Sequence, residues 1–324
     1  MPIISNSSYK KPSILFNRHL ETILPSLIRW PKKTPKYVRE RLDTPDGDFL
    51  DLDWGKQSSS KLVIISHGLE GSSDRSYVLG MGHAFYNENW DVLAWNYRGC
   101  SGEINRTNQF YHSGATHDLE FVIGHAVDLG YQEITLVGFS LGGNLTLKYL
   151  GESTTKKFDE VKKGCVFSVP IDLEGCSLEI DKPHNKLYSR RFLKSLNEKV
   201  KSKKETNSTI KEINEYKNAK SVFEFDDMIT APIHGFENAK DYYEKSSARK
   251  YIAGIKVPTL VVNALNDPFL SPSCYESLFF EASQYVFFET PSHGGHVGFS
   301  AYNSEGIYWS EKRALEWVLN DKTS

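Results

Sequence analysis

The chain has 324 residues, of which 39% are hydrophobic, and it carries a formal net charge of −2 at pH 7. This composition can fill a large core, and the near-zero charge gives no case for nucleic-acid binding. Residues 1–11 are polar and no apolar run reaches about eighteen residues, so we expect neither a signal segment nor a membrane span. The four scattered cysteines argue against a zinc site or a disulfide framework and favour a soluble, cytoplasmic protein.

The N-terminal part of the chain predicts a helix followed by a hairpin. Residues 17–25 have the pattern of a short helix that is ended by Pro25. Residues 37–42 and 49–54 flank a strong turn sequence at 44–47, which predicts an antiparallel hairpin at one edge of a sheet.

Short apolar runs alternate with helical sequence along the rest of the chain. Buried strands are predicted at residues 61–66, 91–96, 134–137, 165–169, 258–263 and 284–288. Helices are predicted at residues 77–89, 115–129, 141–150 and 305–319. Such alternation is typical of an α/β fold, and we expect a mostly parallel sheet of eight strands, including the hairpin, with helices on both faces. We interpret residues 1–324 as one domain.

Residues 173–250, called the cap segment below, interrupt this alternation with helical, lysine-rich sequence. Within residues 181–220, ten lysines and two arginines stand against five acidic residues, a net charge of +7. Phe192, Leu196 and Val200 recur every four residues and predict one apolar helix face. We expect a helical insertion after the sixth strand that covers the carboxyl edge of the sheet, where ligands bind in such folds, with its lysines in solvent.

The sequence from Glu133 to Asn144 predicts a strand, a sharp turn and a helix. The turn has the G-x-S-x-G pattern of a nucleophile elbow, with Ser140 at its centre. Gly138 and Gly142 flank this serine, because strand and helix pass too close there for larger side chains. The pattern alone is a weak signal and also fits a tight turn with an inert serine, but the predicted strand and helix around it favour the elbow.

A serine nucleophile needs a base and a third group that orients the base. In elbow enzymes the acid and then the histidine follow the serine along the chain. Asp267 follows the strand at 258–263, while Asp172 is an alternative acid with the pattern of a helix cap. His293 and His296 both lie in a glycine-containing loop after the last strand, and spacing alone does not separate them.

Acyl transfer also needs hydrogen-bond donors for an oxyanion. The backbone N–H groups of Leu141, after the nucleophile, and of Leu69, in the loop after the strand at 61–66, are placed for this role. We interpret His67 as structural and Arg98 as a loop anchor. The histidines show no metal-binding spacing, so neither a metal nor a cofactor is predicted.

Longer motifs extend beyond these single residues. They are Asn17-x-His19-x-x-Thr22-x-x-Pro25, His67-Gly68-Leu69-x-Gly71-Ser72, Asn96-Tyr97-Arg98-Gly99-Cys100, Gly138-Phe139-Ser140-Leu141-Gly142-Gly143-Asn144, Phe225-Asp226-Asp227, Thr230-Ala231-Pro232, Asp241-Tyr242-Tyr243, Asp267-Pro268-Phe269 and Gly294-Gly295-His296-Val297-Gly298-Phe299. Over nearly its whole length the chain resembles α/β-hydrolases of the YheT-type branch, which also contains fungal medium-chain fatty-acid ethyl ester synthase/esterases. The resemblance implies a catalytic triad of Ser140, Asp267 and His296, and so favours His296 over His293.

We therefore expect a carboxylic-ester hydrolase that acts on a small-molecule, short- to medium-chain acyl ester through an acyl-enzyme. Within the enzyme class the alternatives are an alcohol O-acyltransferase, a lipase or a thioesterase. Outside it, the chain could be an interaction scaffold on a hydrolase fold, since fold does not fix function. No nucleic-acid partner is expected. The basic cap segment also suggests a weak peripheral association with anionic membranes, although a run of charged residues usually serves only as a solvent-exposed surface.

Overall fold

The computed structural model describes residues 3–29, 34–153, 157–206, 209–301 and 306–320. Its strands are β1 (Ile3–Ile4), β2 (Val38–Asp43), β3 (Phe49–Gly55), β4 (Lys61–Ser66), β5 (Asp91–Asn96), β6 (Glu133–Phe139), β7 (Val161–Phe167), β8 (Thr259–Val262) and β9 (Val286–Glu289). Its helices are α1 (Arg18–Ile28), α2 (Ser76–Asn87), α3 (Thr116–Asp128), α4 (Leu141–Gly151), α5 (Leu173–Ile180), α6 (Lys186–Glu205), α7 (Lys211–Glu215), α8 (Val222–Phe225), α9 (Ala231–Ile233), α10 (Ala239–Ser246), α11 (Ser277–Glu281) and α12 (Trp309–Leu319). One π-helical turn, Asp226–Thr230, joins α8 to α9.

The strands form one sheet in the order β1-β9-β8-β7-β6-β4-β5-β3-β2. The β2–β3 and β3–β5 pairs are antiparallel and every other pair is parallel, so the predicted hairpin lies at one edge. The chain continues from β4 to β5 on one side and then to β6 on the other. This reversal places the carboxyl ends of β4 and β6 side by side, which is the usual ligand site of an open α/β sheet.

Apolar side chains fill both faces of the sheet. Leu62 and Ile64 of β4 pack in one cluster with α3 and α4, while Val63 and Ile65 pack in another with α2 and α12. This alternation of adjacent residues between two buried faces is the reason that the parallel strands read as continuous apolar runs. The predicted α/β-hydrolase architecture is therefore confirmed, with helices on both faces of a mostly parallel sheet.

The described residues form nine strands, one more than the eight predicted. The additional strand, β1, has only two residues and pairs in parallel with Phe288 and Glu289 of β9. A two-residue strand has no periodic pattern of its own, because it is specified by the neighbour with which it pairs. Strand β7 begins at Val161, four residues before the predicted start.

The prediction that Pro25 ends the first helix was wrong, since α1 continues to Ile28. Proline removes the hydrogen bond to the residue four positions earlier, here the carbonyl of Glu21. That carbonyl faces Gly298, where an added Cβ would collide with it. Tertiary packing therefore overrides the helix-breaking tendency of proline. The predicted start of the last helix, at Glu305, lies outside the described residues.

Helices α5 to α10 and the π-helical turn lie between β7 and β8 in the chain. Helix α6 buries Leu193, Leu196 and Val200 in a cluster with Phe225 and Ile229. Phe192, which was predicted to share this face, is only half-buried. In the described part of the chain, no helix is both long enough and apolar enough to cross a membrane.

Not all the lysines of α6 face solvent, so that expectation was wrong. Lys199 Nζ lies 2.7 Å from Glu70 Oε1, and Lys203 Nζ donates to the carbonyl oxygen of Thr107 at 2.6 Å. Both lysines lie on the same side of the helix as Leu196 and Val200, because residues three or four apart share a face. Buried ammonium groups need hydrogen-bond partners, and here the loops of the sheet domain provide them.

Candidate active site

Ser140 lies at the tip of a sharp turn between β6 and α4. Its backbone has φ 53° and ψ −120°, a strained conformation for a residue that is not glycine. The backbone is held by a hydrogen bond from Ser140 N–H to the Phe167 carbonyl, 2.9 Å long. A Cβ at Gly138 would come within 2.5 Å of the Gly142 carbonyl oxygen. The turn therefore requires glycine where strand and helix cross, and the sequence provides it there.

Ser140, His296 and Asp267 form a continuous line of hydrogen-bonded side chains. Ser140 Oγ lies 2.9 Å from His296 Nε2, and His296 Nδ1 lies 2.9 Å from Asp267 Oδ2. Asp267 is buried, and its other oxygen accepts a hydrogen bond from Phe269 N–H at 2.9 Å. The three residues come from the ends of β6, β8 and β9, so the fold joins positions that are far apart in sequence. An imidazole held in this way can accept the serine proton.

The loop that carries His296 is held by the N-terminal helix α1. Thr22 Oγ1 accepts a hydrogen bond from His296 N–H at 3.0 Å, and Glu21 Oε2 accepts from Gly294 N–H at 2.6 Å. Glu21 is almost fully buried. The sequence alone assigns no role to this helix. The motif from Asn17 to Pro25 was the available signal, because a motif in an otherwise irregular segment indicates a specific contact.

The two alternative residues lie apart from Ser140. His293 Nδ1 lies 3.4 Å from Glu21 Oε1, and the side chain is 46% exposed. Asp172 caps α5 by accepting from Gly175 N–H and pairs with Arg249 at 3.1 Å. The structure thus brings His296 and Asp267 to Ser140, and it places His293 and Asp172 in other contacts.

Two backbone N–H groups beside Ser140 are available to a ligand. Among the hydrogen bonds of the described residues, none uses the N–H of Leu69 or of Leu141 as donor. A Cβ at Gly68 would lie 3.2 Å from Ser140 Cβ, so the loop after β4 lies directly beside the nucleophile turn. Unpaired amides at such a point can stabilise a developing oxyanion.

His67 ties down the loop that carries Leu69, and the imidazole is fully buried. His67 Nδ1 lies 2.8 Å from the Gly68 carbonyl, while Nε2 accepts from Tyr97 N–H at 3.3 Å. A neutral ring satisfies both contacts, whereas protonation of Nε2 would remove the acceptor for Tyr97. Burial correspondingly lowers the pKa of His67 to about 3. Tyr77 OH also accepts a hydrogen bond from Gly68 N–H at 2.9 Å.

A cavity of about 130 Å³ opens onto Ser140 and His296. Its wall is mostly apolar and comes from both the sheet domain and the cap segment. Apolar lining residues include Leu69, Leu141, Leu173, Ile180, Phe192, Leu196, Val200, Phe225, Phe269 and Leu270. The ring centroid of Phe269 lies 4.3 Å from that of His296. An apolar group of a ligand can therefore be bound next to the nucleophile.

The cavity also has a polar part, which includes Asp226 and His234. Asp226 Oδ1 accepts from Thr230 Oγ1 at 2.6 Å, and Oδ2 accepts from Tyr243 OH at 2.7 Å. Burial raises the pKa of Asp226 to about 6, although these two hydrogen bonds oppose the shift. Burial also lowers the pKa of His234 to about 4, which keeps this imidazole neutral at pH 7.

Arg98 lies in an ion-pair network outside this cavity. Its guanidinium makes two hydrogen bonds to Asp118, at 2.9 and 2.7 Å, and a third to Asp46 at 2.6 Å. The residue is buried and anchors the loop after β5 to α3. No group of three or more His, Cys, Asp or Glu side chains among the described residues could hold a metal ion.

Two of the four cysteines meet in the folded chain. Cys176 of α5 and Cys274 lie with their Sγ atoms 3.4 Å apart, and both thiols are free and buried. Their separation by 98 positions gave no signal of this contact. The contact packs the cap segment against the loop that follows Asp267.

Comparison with known proteins places these features in a wider group. A family model described as alpha/beta hydrolase fold matches residues 61–300. The chain is 35% identical over 314 residues to YheT of Escherichia coli (strain K12), covering 93% of this chain and 90% of YheT. It is 29% identical over 299 residues to phospholipase ABHD3 of Bos taurus, covering 89% of this chain and 71% of that protein.

Among solved structures, an esterase of Pyrococcus furiosus, Pf2001, superposes with a TM-score of 0.59. The two proteins are 18% identical, and the superposition covers 87% of this chain and 90% of the esterase. At this level of identity the likeness shows a shared fold and nothing more.

Proposed function

Because the chain belongs to the α/β-hydrolase family, in the branch of YheT, we propose that it is a serine carboxylic-ester hydrolase with Ser140 as its nucleophile. The observation that carries this proposal is the line of hydrogen bonds from Asp267 through His296 to Ser140, with Ser140 open to an apolar cavity. A scaffold protein has no need for a base within hydrogen-bond distance of a strained serine.

In the first half-reaction, Ser140 Oγ attacks the carbonyl carbon of the ester while His296 Nε2 takes the hydroxyl proton. The negative charge that develops on the carbonyl oxygen accepts hydrogen bonds from the N–H groups of Leu69 and Leu141. Asp267 orients the imidazole and stabilises its protonated form. The C–O bond to the alcohol then breaks, His296 gives its proton to the departing oxygen, and the acyl group remains on Ser140.

In the second half-reaction, a water molecule replaces the alcohol. His296 removes a proton from the water as the oxygen attacks the acyl carbonyl, and the same two N–H groups hold the oxyanion. Breakdown of this intermediate returns the proton to Ser140 Oγ and releases the carboxylic acid. No cofactor takes part, because the histidine accepts and returns every proton that moves.

The substrate is a short- to medium-chain acyl ester, with the acyl group in the apolar part of the cavity. Support comes from the mainly apolar wall next to His296 and from the cap residues Phe192 and Leu196 that contribute to it. We propose that the cap segment, residues 173–250, acts as a helical insertion that encloses the acyl group. A named phospholipase among the relatives supports esters of lipids as the natural class.

The proposal is tested with a series of p-nitrophenyl esters of increasing acyl length, using the wild type and Ser140→Ala. We expect the wild type to release p-nitrophenol with an optimum at short or medium length. Ser140→Ala should lose several powers of ten in turnover, because the residues of such triads act as a unit. Turnover that is unchanged in a folded Ser140→Ala protein would contradict the proposal.

We further propose a cytoplasmic location and weak binding to anionic membrane surfaces. Support for the first is that all four cysteines are free thiols. Support for the second is the outer side of α6, where Lys186, Arg190, Arg191 and Lys194 are exposed beside Leu187, which is 69% exposed. Sedimentation with anionic and neutral vesicles at low and moderate salt tests membrane binding. Preferential pelleting with anionic vesicles at low salt is expected, and equal pelleting with both types would contradict it.

A further inference from the structure

Glu70 directly follows the proposed oxyanion donor Leu69, and its carboxylate is bound by groups from two other parts of the chain. Tyr111 OH donates to Glu70 Oε1 at 2.7 Å, and Tyr111 lies in the loop before α3. Lys199 Nζ lies 2.7 Å from the same oxygen, and Ser195 Oγ donates to Oε2 at 2.5 Å. Ser195 and Lys199 are one turn apart on α6, so the cap segment contributes two of the three donors.

This contact is buried. The side chains of Lys199 and Glu70 are 12% and 6% exposed. Burial opposes ionisation of Glu70, but the charge of Lys199 and the three donors outweigh it and lower the pKa of the carboxyl. Buried charges persist where partners are close and hydrogen-bonded, and the removal of one partner leaves the other without compensation.

The backbone of Glu70 is held as firmly as its side chain. Its φ of 52° lies in the left-handed region, which is unfavourable for a residue with a Cβ. The Gly71 N–H donates to the Gly68 carbonyl at 3.0 Å and closes a turn with Leu69 and Glu70 at its centre. The Glu70 N–H donates to Tyr111 OH at 2.9 Å. A strained turn of this kind persists only where its surroundings fix it.

We propose that Glu70 is a positioning residue through which helix α6 of the cap segment fixes the direction of the Leu69 N–H in the oxyanion site. The inference rests on the proposed function, in which that N–H binds the oxyanion. The hydrogen bonds from Ser195 and Lys199 to the Glu70 carboxylate hold the turn from Gly68 to Gly71 in place. This turn determines the direction of the Leu69 N–H. The cap segment then contributes to turnover as well as to substrate binding.

The same helix provides a matched control. Lys203, one turn beyond Lys199, is also buried and donates to the carbonyl oxygens of Asn105 and Thr107, which do not belong to the oxyanion loop. Lys203→Met therefore removes a contact between α6 and the sheet domain that is buried like the Lys199 contact, although its acceptors are backbone carbonyls and not a carboxylate. It leaves the Glu70 carboxylate with its three donors.

The test compares Glu70→Gln, Ser195→Ala and Lys203→Met on one p-nitrophenyl ester and with a trifluoromethyl ketone, to which Ser140 would add to form a tetrahedral oxyanion. For Glu70→Gln we expect kcat to fall by about a factor of ten to one hundred, with KM within about twofold. Ketone affinity should fall in proportion. Ser195→Ala should show a smaller loss of the same kind, whereas Lys203→Met should retain both kcat and ketone affinity.

Equal kcat and ketone affinity in folded Glu70→Gln and Lys203→Met would overturn this proposal alone. If Glu70→Gln fails to fold, the double variant Glu70→Gln/Lys199→Met removes both buried charges and should show the same loss of kcat and ketone affinity. Unchanged kcat in that double variant would also overturn the proposal. Absence of ester turnover and of ketone binding in the wild type would overturn the proposed function and this inference together.

Discussion

The edge of the sheet that carries Ser140 and the cap segment above it are held in place by different kinds of contact. Ser140 and Gly142 are fixed by backbone hydrogen bonds and by the close approach of strand, loop and helix. The cap segment is attached by side-chain contacts. Examples are the ion pair of Lys199 with Glu70, the hydrogen bond from Lys203 to the Thr107 carbonyl and the contact between the thiols of Cys176 and Cys274. Backbone contacts at such close range tolerate few amino-acid substitutions, whereas side-chain contacts can be removed by substitution one at a time.

This difference predicts a division of effects between the two regions. Substitutions at the sheet edge should change kcat, because they move groups that react or that orient the reacting groups. Substitutions in the apolar wall of the cap segment should change KM and the preferred acyl length, because those residues contact only the unreactive part of the substrate. Glu70 is the exception, since it connects the two regions.

The largest expected effect separates the two histidines of the β9 loop. His296→Ala should reduce kcat by about three to four powers of ten, because the proposed base is lost. His293→Ala should reduce kcat by less than about tenfold, since this exposed ring contacts Glu21 and not Ser140. Steady-state kinetics on one ester measure the loss of kcat in both variants. The reverse order of losses would show that the line of hydrogen bonds at Ser140 is not the working arrangement.

A smaller effect is expected at the contact between α1 and the β9 loop. Thr22→Val keeps the shape of the side chain but removes the acceptor for His296 N–H, so kcat should fall by about tenfold or more as His296 loses its alignment. Ser26→Ala on the same helix is the control, because among the described residues the Ser26 hydroxyl hydrogen-bonds only with the Ile23 carbonyl. Indistinguishable kcat values for the two variants would assign α1 a role in stability alone.

Within the cap segment, Phe192→Ala should change substrate preference more than turnover. Phe192 lines the cavity and packs near Phe269, so its removal should raise KM for the longest favourable acyl chain by about tenfold, with kcat within about twofold. Leu187→Ala, at a 69% exposed position of the same helix, should leave both constants unchanged. If Phe192→Ala changed kcat by the same factor as KM, the proposed division of effects between the two regions would be wrong.

The last expected effect concerns stability and not turnover, and it is a pH dependence that comes from His67. Its folded pKa of about 3 lies below its ordinary value of 6.5, so the unfolded chain binds more protons between these values. Its contribution to stability is therefore present above pH 6.5 and is lost as the pH falls towards 3. Between pH 7.5 and 5.5, the free energy of unfolding of the wild type should fall by about 1.4 kcal/mol more than that of His67→Asn. Urea unfolding at both pH values measures this difference, and parallel decreases would show that His67 is not held neutral.

Much of the sheet edge could be predicted from sequence, because its signals are local. The elbow glycines flank Ser140 directly, and Asp267 and the β9 loop follow apolar runs that are easily read as strands. Residue spacing did not separate His293 from His296, because both lie in one flexible glycine-rich loop. Their difference depends on Thr22 and Glu21, more than 270 positions earlier in the chain.

The contacts that sequence did not predict are those between distant segments. Nothing around Lys199 distinguishes it from its solvated neighbours, since its partner Glu70 lies 129 positions away. The two-residue strand β1 and the continuation of α1 past Pro25 have the same origin, because β9 and Gly298 specify them. The local sequence pattern predicts most of the helices and strands. These exceptions arise from tertiary contacts that override the local preference.

The most direct test of Ser140 as the nucleophile is covalent labelling of the wild type and of Ser140→Ala with a fluorophosphonate, followed by intact-mass measurement and peptide mapping. We expect one phosphonyl adduct on the wild type, located on Ser140, and no adduct on a folded Ser140→Ala protein. An adduct on another residue, or labelling that persists in Ser140→Ala, would contradict the claim that Ser140 is the activated nucleophile.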